Sequence, residues 1–407
     1  MLTTDQIKCM NLIQNFLISS DNEFLIVGNA GVGKTYLISN FFENYTTSHT
    51  IYFTAPTNKA VKVLINNFSK NTKINFKTIS SLLYIQEDID DFGNINFKQF
   101  RIPQIKNSII IIDEASMIST YVYDKIQSQL DNNKIIYIGD DKQLPPINES
   151  NSIIFSKITN KYKLNEIIRQ ESANPIINLL SNDDIKLVLF DKKSTIINET
   201  GYKYCSINNI IDIITKHNIT NIQFIGWTNK TIDMYNNFIR QIIHNGITLP
   251  KLMINDKLIV NNRYCLRDSN DEILNINDEI LIKYIEIIEI YVIEFNLKCK
   301  TYKINTNIYI LHEDSEKIFN KHLNDLKNSC IEQKNKKLWK IYYNVRDNYF
   351  LNYKYAFCIT AHKSQGSTYE NVVLLLNDIL QNKKKNELQK MLYTSISRAK
   401  KIVYLLN

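Results

Sequence analysis

Apolar and polar positions along the first 170 residues predict strands that alternate with helices. The short, largely β-branched apolar runs are residues 24–27, 51–54, 109–112 and 134–138. Helical spacing covers Lys34–Asn44 and Asn58–Asn67. A continuous run such as 109–112 is typical of a strand covered on both faces, and strands alternating with helices indicate a parallel α/β sheet.

The pattern changes twice further along the chain. Residues 84–103 are polar apart from scattered aromatics and predict a hairpin insertion. A second α/β region starts near residue 174, with a strand at 223–226, and the α/β pattern returns from residue 355 to the end. Between them, short β-rich runs at 279–284, 290–295 and 307–311 predict a small β-barrel insertion, followed by a polar helix over 314–337. The predicted domains are 1–170 (with the insertion 84–104), 171–257, 258–350 and 351–407.

Composition narrows the class of protein. The 407 residues are 44% hydrophobic and 22% charged, as in ordinary soluble globular proteins. No stretch of about 18 apolar residues exists and no signal peptide is recognisable, so we expect an intracellular protein without a membrane span. The six cysteines form no C-x-x-C pair, which favours reduced thiols over a zinc site.

The net charge and the rarity of glycine and arginine are weaker indicators of function. The net charge of +8 suits a polyanionic partner without requiring one. The basic runs at 334–337 and 383–385 are interpreted as solvated faces rather than DNA grips. Glycine occurs only nine times, and arginine is rare among the 49 basic residues. We therefore give weight to the positions where either residue still occurs.

A phosphate-binding loop is the strongest single motif. The segment reads Gly28-Asn29-Ala30-Gly31-Val32-Gly33-Lys34-Thr35 and fits G-x-x-x-x-G-K-[ST]. It follows a predicted strand and opens a predicted helix, as this motif requires. Its backbone N–H groups and the helix dipole would bind phosphates, Lys34 would reach the terminal phosphates, and Thr35 would bind Mg²⁺. The alternative is a glycine-rich turn without a ligand.

Two carboxylates follow the apolar run 109–112. Asp113 and Glu114 would lie at the carboxyl end of a buried strand, where open α/β sheets bind ligands. We expect Asp113 to hold Mg²⁺ and Glu114 to polarise the water that attacks ATP. An ordinary acidic loop pair would be the favoured interpretation if no phosphate-binding loop were present.

The order of motifs over nearly the whole chain resembles superfamily 1 DNA helicases, in the 5′-to-3′ branch of phage Dda and RecD-like enzymes. The matching segments are 4–6, 28–35, 54–60, 78–81, 113–114, 139–146, 164–170, 226–229, 360–366 and 393–399. Of these, Gly-Asp-x-x-Gln-Leu-Pro-Pro at 139–146 and His-Lys-Ser-Gln-Gly at 362–366 are the more specific. The resemblance implies two RecA-like P-loop NTPase lobes, with a β-hairpin (pin) inserted in the first and an SH3-like β-barrel in the second.

The resemblance also implies roles around the nucleotide. Gln6 would read adenine, Gln143 would sense the γ-phosphate, and Gly366 would lie in the motif that couples ATP to DNA. Arg169 and Arg398 would be the two arginine fingers. Arginine suits that task because its rigid fork binds phosphate oxygens bidentately, although both could instead be structural ion-pair partners.

The DNA candidates are polar or aromatic residues within these motifs. They are Pro56, Thr57, Asn58, Thr78, Ser80, Trp227, Thr228, Asn229, His362 and Lys363, together with Phe97 in the hairpin. Aromatic rings stack on bases of single-stranded DNA, so Trp227 is the stacking candidate and Phe97 the candidate pin residue. Either ring could equally pack against the protein, and Trp339 is expected to anchor packing of the second insertion.

The function implied is ATP- and Mg²⁺-dependent translocation on single-stranded DNA and unwinding of fork DNA, in replication, recombination or repair. Single-strand-binding or replisome proteins would be partners, and the direction would be 5′ to 3′. The alternatives are a DNA translocase that does not unwind, and a non-catalytic replication scaffold. Retention of all the chemistry-bearing residues disfavours the scaffold.

Overall fold

The first part of the chain forms a parallel β-sheet flanked by helices. The computed structural model describes residues 2–68, 74–166, 174–182, 184–190, 193–266 and 273–407. Its first elements are α1 (Thr4–Ile18), β1 (Glu23–Gly28), α2 (Lys34–Asn44), β2 (Thr50–Ala55), α3 (Asn58–Asn67), β3 (Ile74–Thr78), α4 (Ile79–Leu82), β4 (Ile85–Ile89), β5 (Ile95–Gln99), β6 (Ser108–Ile112), α5 (Thr120–Gln129), β7 (Lys134–Gly139), α6 (Ile154–Lys157) and β8 (Lys161–Leu164). Strands β3-β2-β6-β7-β1-β8 lie in that order, and each runs parallel to its neighbours. We call this sheet with its helices the first lobe.

Strand β6 shows why this sheet is buried on both faces. Ile109 and Ile111 point into the core that lies against α2 and α3. Ile110 and Ile112 point into the opposite core, which contains residues of α5. Since side chains alternate between the two faces of a strand, only a sheet covered on both sides can bury four consecutive isoleucines.

The second lobe is another sheet with flanking helices. Its elements are α7 (Pro175–Ser181), α8 (Ile185–Phe190), β9 (Thr195–Ile197), β10 (Thr200–Cys205), α9 (Ile210–His217), β11 (Ile222–Gly226) and the start of α10 (Asn229–Ile243), then β20 (Cys358–Thr360), β21 (Tyr369–Leu375), α13 (Leu376–Ile379), α14 (Lys385–Ile396) and β22 (Ala399–Leu406). The strand order is β20-β11-β21-β22-β10-β9. β11, β21, β22 and β10 run parallel, and β9 is antiparallel to β10.

Both lobes belong to one compact unit, and the remaining strands and helices form another, which we call the second unit. Contacts place the described residues of 1–85, 99–232 and 359–407 in one unit, and those of 86–98 and 233–358 in the other. The latter contains β12 (Lys257–Val260), β13 (Tyr264–Cys265), β14 (Ile273–Leu274), β15 (Glu279–Leu281), β16 (Ile285–Val292), β17 (Leu297–Ile304), β18 (Ile308–Leu311), α11 (Glu313–Gln333), α12 (Lys336–Asn348) and β19 (Tyr353–Tyr355). Its ladders β15-β12-β19, β13-β14 and β16-β17-β18 are antiparallel.

The predicted elements of the first lobe agree well with the structure, and those of the second unit agree less well. Helices α2 and α3 have the predicted bounds. The strand expected at 290–295 instead starts at Ile285 and ends at Val292, and residues 293–295 form a 3₁₀ turn. The helix expected over 314–337 ends at Gln333, because Lys334 adopts a left-handed conformation (φ 46°) and a new helix starts at Lys336.

Candidate active site

The loop between β1 and α2 is shaped to hold phosphates. Gly31 and Gly33 adopt φ values of 90° and 73°, which residues with a Cβ rarely accept. A Cβ on Gly28 would lie 2.7 Å from Cγ2 of Val32, so this position also requires glycine. Lys34 Nζ donates to the carbonyl oxygens of Gly28 at 2.7 Å and Asn29 at 3.0 Å. The loop therefore curves around the lysine ammonium at the positive end of α2.

Two neighbouring carboxylates lie where β6 ends, beside this loop. Asp113 Oδ2 accepts a hydrogen bond from Thr35 Oγ1 at 3.2 Å, and its Oδ1 accepts from the Glu114 N–H at 2.8 Å. Glu114 itself has φ 53° and ψ 43°, a left-handed backbone that is uncommon for a residue other than glycine. Strain of this kind costs about 1–3 kcal/mol and is concentrated at functional sites.

Burial changes the acidity of both carboxyls. It raises the pKa of Asp113, while the Glu114 N–H, Lys34 and Thr35 oppose the change. It also raises the pKa of Glu114; the Asp113 charge adds to the increase, and the positive charges of Arg398 and Lys34 oppose it. A carboxylate with a raised pKa is a better general base near neutral pH.

Residues after β7 place an amide side chain in the same region. The Gln143 N–H donates to the Asp140 carbonyl at 3.2 Å and closes a turn. Within the described ranges, the buried Gln143 Oε1 and Asn29 Oδ1 have no hydrogen-bond partner. Leaving a buried polar atom unpaired costs about 1–3 kcal/mol, so such atoms are usually satisfied by a bound group. The glycine loop fits a phosphate and the Thr35–Asp113 oxygen pair fits a hard cation, while the two amide oxygens can only accept, for example from a water molecule.

The second lobe contributes a buried arginine. Arg398, between α14 and β22, donates from Nε to Thr394 O at 3.0 Å, from Nη1 to Ser367 O at 3.2 Å and from Nη2 to Ser397 Oγ at 2.9 Å. These acceptors are neutral, so the guanidinium keeps its positive charge uncompensated by them. Tyr393, five residues before Arg398, accepts the N–H of Ala30 in the phosphate loop at 2.9 Å, so this part of the second lobe lies against the first. Arg169, the other predicted finger, lies outside the described residues.

Gln6 and Gly366 lie at the edges of this region. Gln6 is buried and completes a capping box with Thr3 at the start of α1. Its Nε2 donates to the Val32 carbonyl at 3.3 Å, which ties α1 to the phosphate loop. Gly366 has φ 71°, and the preceding Gln365 donates from Nε2 to Leu144 O at 3.0 Å.

The DNA candidates of the first lobe lie just past two strand ends. Pro56, Thr57 and Asn58 follow β2, and Ser80 follows β3, which ends at Thr78. Thr57 and Thr78 are N-caps: their hydroxyl oxygens accept the N–H groups of Ala60 and Ser81. Neither hydroxyl donates to another of the described residues, so its hydrogen can be offered to a ligand. Since β2 and β3 are parallel neighbours, these residues lie along one sheet edge.

In the second lobe, the DNA candidates Trp227 and Thr228 form hydrogen bonds to a buried aspartate that the sequence analysis did not identify. Asp378 of α13 accepts the N–H groups of Trp227 at 2.5 Å and Thr228 at 3.0 Å, and the Thr228 hydroxyl at 2.9 Å. Trp227 is half-buried and Asn229 is exposed. No local spacing could reveal Asp378, which lies 150 residues from Thr228.

His362 and Lys363 follow β20 and are half-buried. Burial lowers the pKa of His362, which favours the neutral imidazole, and Glu387 opposes this. A neutral ring at this position can donate one hydrogen bond and accept another.

The hairpin β4–β5 is held at its tip within the second unit. Trp339 of α12 donates from Nε1 to Asp91 O at 3.1 Å, and the Tyr343 hydroxyl donates to Gly93 O at 2.6 Å. Lys336 Nζ lies 2.8 Å from the Asp88 carboxylate. A Cβ on Gly93 would come within 2.6 Å of the Trp339 ring. We call these contacts the tip clasp; Phe97 remains outside it, with 68% of its surface exposed.

Comparison with known proteins identifies the class. Residues 1–198 match the model of an AAA domain, and residues 355–406 match that of a UvrD-like helicase C-terminal domain. Protein R530 of Acanthamoeba polyphaga mimivirus is 30% identical, with 98% of each chain covered. The RecBCD subunit RecD of Buchnera aphidicola subsp. Schizaphis graminum is 29% identical over 98% of this chain and 75% of its own. These matches and the site geometry define an ATP-hydrolysing motor protein of the helicase class.

A solved structure supports the same fold. Pif1 helicase from Bacteroides, in complex with ADP-AlF3 and ssDNA, superposes with a TM-score of 0.53 at 17% identity, covering 99% of this chain and 92% of that one. The chain belongs to the superfamily 1 helicases, in the branch that contains RecD and Pif1, and it is an ATP-dependent DNA helicase. Within the part of the chain that the structure describes, no helix is long and apolar enough to cross a bilayer.

Proposed function

We propose that the chain hydrolyses ATP between the phosphate loop and Arg398, moves 5′ to 3′ along single-stranded DNA, and unwinds the duplex at a fork. The observation that carries this proposal is the arrangement around Glu114. The Glu114 N–H donates to Asp113, which also accepts from Thr35 of the phosphate loop. Tyr393 bonds Ala30 of the same loop, and Arg398 follows it in the second lobe, where it donates to Thr394 O. The direction follows from the resemblance to the RecD and Dda branch.

The reaction roles follow from the contacts. Lys34 and the N–H groups of residues 30–35 bind the β- and γ-phosphates. Thr35 and Asp113 would hold Mg²⁺, which neutralises charge on the transferring phosphoryl group. Glu114 accepts the proton of the attacking water, whose oxygen forms the new bond to phosphorus while the bond to the ADP oxygen breaks. Gln143, Arg398 and Arg169 stabilise the charge of the γ-phosphate.

Movement would arise because hydrolysis changes how the two lobes close. Residues 57, 58, 78 and 80 offer donors at the edge of the first sheet, beside Pro56, and residues 227–229 follow β11 in the second. His362 and Lys363 follow β20 beside β11. We assign these residues to the DNA strand, mainly to its phosphates, with Trp227 against a base. Closing and opening the cleft between the lobes would then move the DNA-contacting residues of one lobe relative to those of the other.

Unwinding of tailed duplexes tests this function directly. With ATP and Mg²⁺, we expect strand separation of a duplex carrying a 5′ single-stranded tail and little separation of one carrying a 3′ tail or no tail. The Lys34→Ala variant should bind DNA but separate no strands. DNA-stimulated ATP hydrolysis without separation of any substrate would instead indicate a translocase that does not unwind.

We assign the hairpin β4–β5 as a strand-separating pin, and the ladders β12–β19 as an SH3-like insertion. Phe97 supports this assignment because it is a large exposed aromatic on β5. The proposed domain limits remain 1–170 with its insertion 84–104, 171–257, 258–350 and 351–407.

Phe97→Ala should uncouple unwinding from ATP use. Stacking of one base on an aromatic ring contributes about 1–3 kcal/mol, so we expect roughly a tenfold slower unwinding rate. ATP hydrolysis stimulated by single-stranded DNA should stay near the wild-type value. Phe100→Ala is the matched control, because Phe100 is also exposed (55%) but lies beyond β5. Equal unwinding by the wild type and Phe97→Ala would contradict the pin assignment.

A further inference from the structure

The Tyr393 hydroxyl of α14 joins the second lobe to two parts of the first. It accepts the N–H of Ala30 in the phosphate loop at 2.9 Å. It donates to Asp140 Oδ2, just after β7, at 2.8 Å. Tyr393 and Asp140 are both almost fully buried, at 2% and 1% exposure. A tyrosine hydroxyl has one donor and can accept as well, so both bonds form at once.

The next residue extends the same connection. The Thr394 hydroxyl accepts the Leu144 N–H at 3.0 Å, and Gln365 donates to the Leu144 carbonyl at 3.0 Å. Both backbone polar groups of Leu144 are thus held by the second lobe. Asp140 and Leu144 bracket Gln143, so the second lobe fixes this segment at both ends.

Arg398 follows directly after the same helix, α14, which ends at Ile396. Arg398 Nε donates to the Thr394 carbonyl at 3.0 Å, so the guanidinium is tied to the turn that contains Tyr393. A shift of α14 would therefore displace Arg398 and break the bonds to Ala30 and Asp140 together. Catalytic groups held about 1 Å from the productive position lose on the order of 100-fold in rate.

We propose that Tyr393 is a positioning residue for hydrolysis: its hydroxyl fixes the position of the phosphate loop and the Gln143 segment relative to the end of α14, which Arg398 follows. The inference rests on the proposed ATPase site. Tyr393 acts through Ala30 and Asp140 and not on the reacting atoms. A hydrogen bond from a hydroxyl to a carboxylate, such as that from Tyr393 to Asp140, is stronger than one between neutral groups. We expect the loss of this bond to lower the rate of hydrolysis, because it would act mainly when both lobes close around the transition state.

Tyr393→Phe is the decisive variant, because it removes one oxygen and keeps the ring. We expect the DNA-stimulated kcat to fall roughly tenfold, a change that corresponds to about 1.4 kcal/mol. Equilibrium binding of a fluorescent ADP analogue should change less than about threefold, because the first lobe supplies most phosphate contacts. This split separates a positioning role from a general loss of folded protein.

Tyr404→Phe is the matched control. Tyr404 is also buried in the second lobe, but its hydroxyl pairs with His217 Nε2 at 2.6 Å. Thr394→Val should lower kcat in the same manner as Tyr393→Phe, and Thr394→Ser, which keeps the hydroxyl, should restore it. A kcat for Tyr393→Phe within about twofold of wild type, or an equal loss in Tyr404→Phe, would overturn the proposal.

Hydrogen exchange tests the contact independently of activity. Peptides covering residues 28–35 and 139–146 should exchange faster in Tyr393→Phe than in the wild type or Tyr404→Phe, since an amide loses protection when its partner is removed. Unchanged exchange would overturn the proposal. A wild-type chain with no DNA-stimulated ATPase would instead refute the proposed function, and the exchange result would still decide the contact.

Discussion

Glu114→Gln is expected to lower the kcat of ATP hydrolysis about 10³-fold, within the range of about 10²–10⁴ that general-base catalysis supplies. Glutamine has nearly the same shape but cannot take up the proton of the attacking water. The left-handed backbone at Glu114 and its buried position beside Asp113 are the features that support this proposed role. Single-turnover hydrolysis in the presence of single-stranded DNA measures the effect.

Binding measurements separate chemistry from assembly in this variant. We expect Glu114→Gln to bind a fluorescent ATP analogue and single-stranded DNA about as well as the wild type. Glu23→Gln is the control, because Glu23 begins β1 at the opposite end from the phosphate loop, where it accepts the Tyr137 hydroxyl at 2.8 Å. If Glu114→Gln kept more than about a tenth of the wild-type rate, another group would have to be the base.

Arg398→Lys should be nearly as damaging, with kcat lower by at least about 10²-fold, since an arginine finger contributes about 10³–10⁵ and lysine keeps only the charge. The planar guanidinium directs its nitrogens to three acceptors around Thr394, Ser367 and Ser397. A lysine ammonium cannot reach all three acceptors and also bind the γ-phosphate in the proposed manner. Steady-state hydrolysis over a range of ATP concentrations should show the loss in kcat rather than in KM.

The control for this variant is an arginine outside the site. Arg101→Lys keeps an exposed cation that lies 4.9 Å from the Tyr84 ring. It should leave kcat unchanged, and both variants should melt near the wild-type temperature. A normal kcat for Arg398→Lys would mean that this side chain is structural and that the fingers lie elsewhere.

The sequence predicted those parts of the fold and site that depend on neighbours in the chain. Helix α2, the strand at 109–112 and the phosphate loop follow from local spacing and from glycine conformations. The edge strand β16 was harder to place, because Ile287 and Tyr291 point to solvent and the apolar run alone does not mark its start.

Contacts between distant segments left no signal in the sequence. Tyr393 and Ala30 are 363 residues apart, and Trp339 and Asp91 are 248 apart. The rarity of arginine in this chain was also an incomplete guide to functional positions. Arg240 is buried and binds Asp256 through two 2.8 Å hydrogen bonds, which is a structural role. Such contacts depend on how helices and strands pack together, and they leave no local pattern of residue spacing that a single sequence would show.

The tip clasp has a mechanical consequence. An isolated two-stranded hairpin is only marginally stable in water, and opening one DNA base-pair step costs about 1.4 kcal/mol. A hairpin anchored only at its base would bend or fray under such a load. Lys336, Trp339 and Tyr343 bind the far end of the hairpin to α12, so in the proposed pin role the force on Phe97 would be shared with this 13-residue helix. A hairpin held at both ends would deform less in that role, and more of the free energy of ATP hydrolysis would go into separating the duplex.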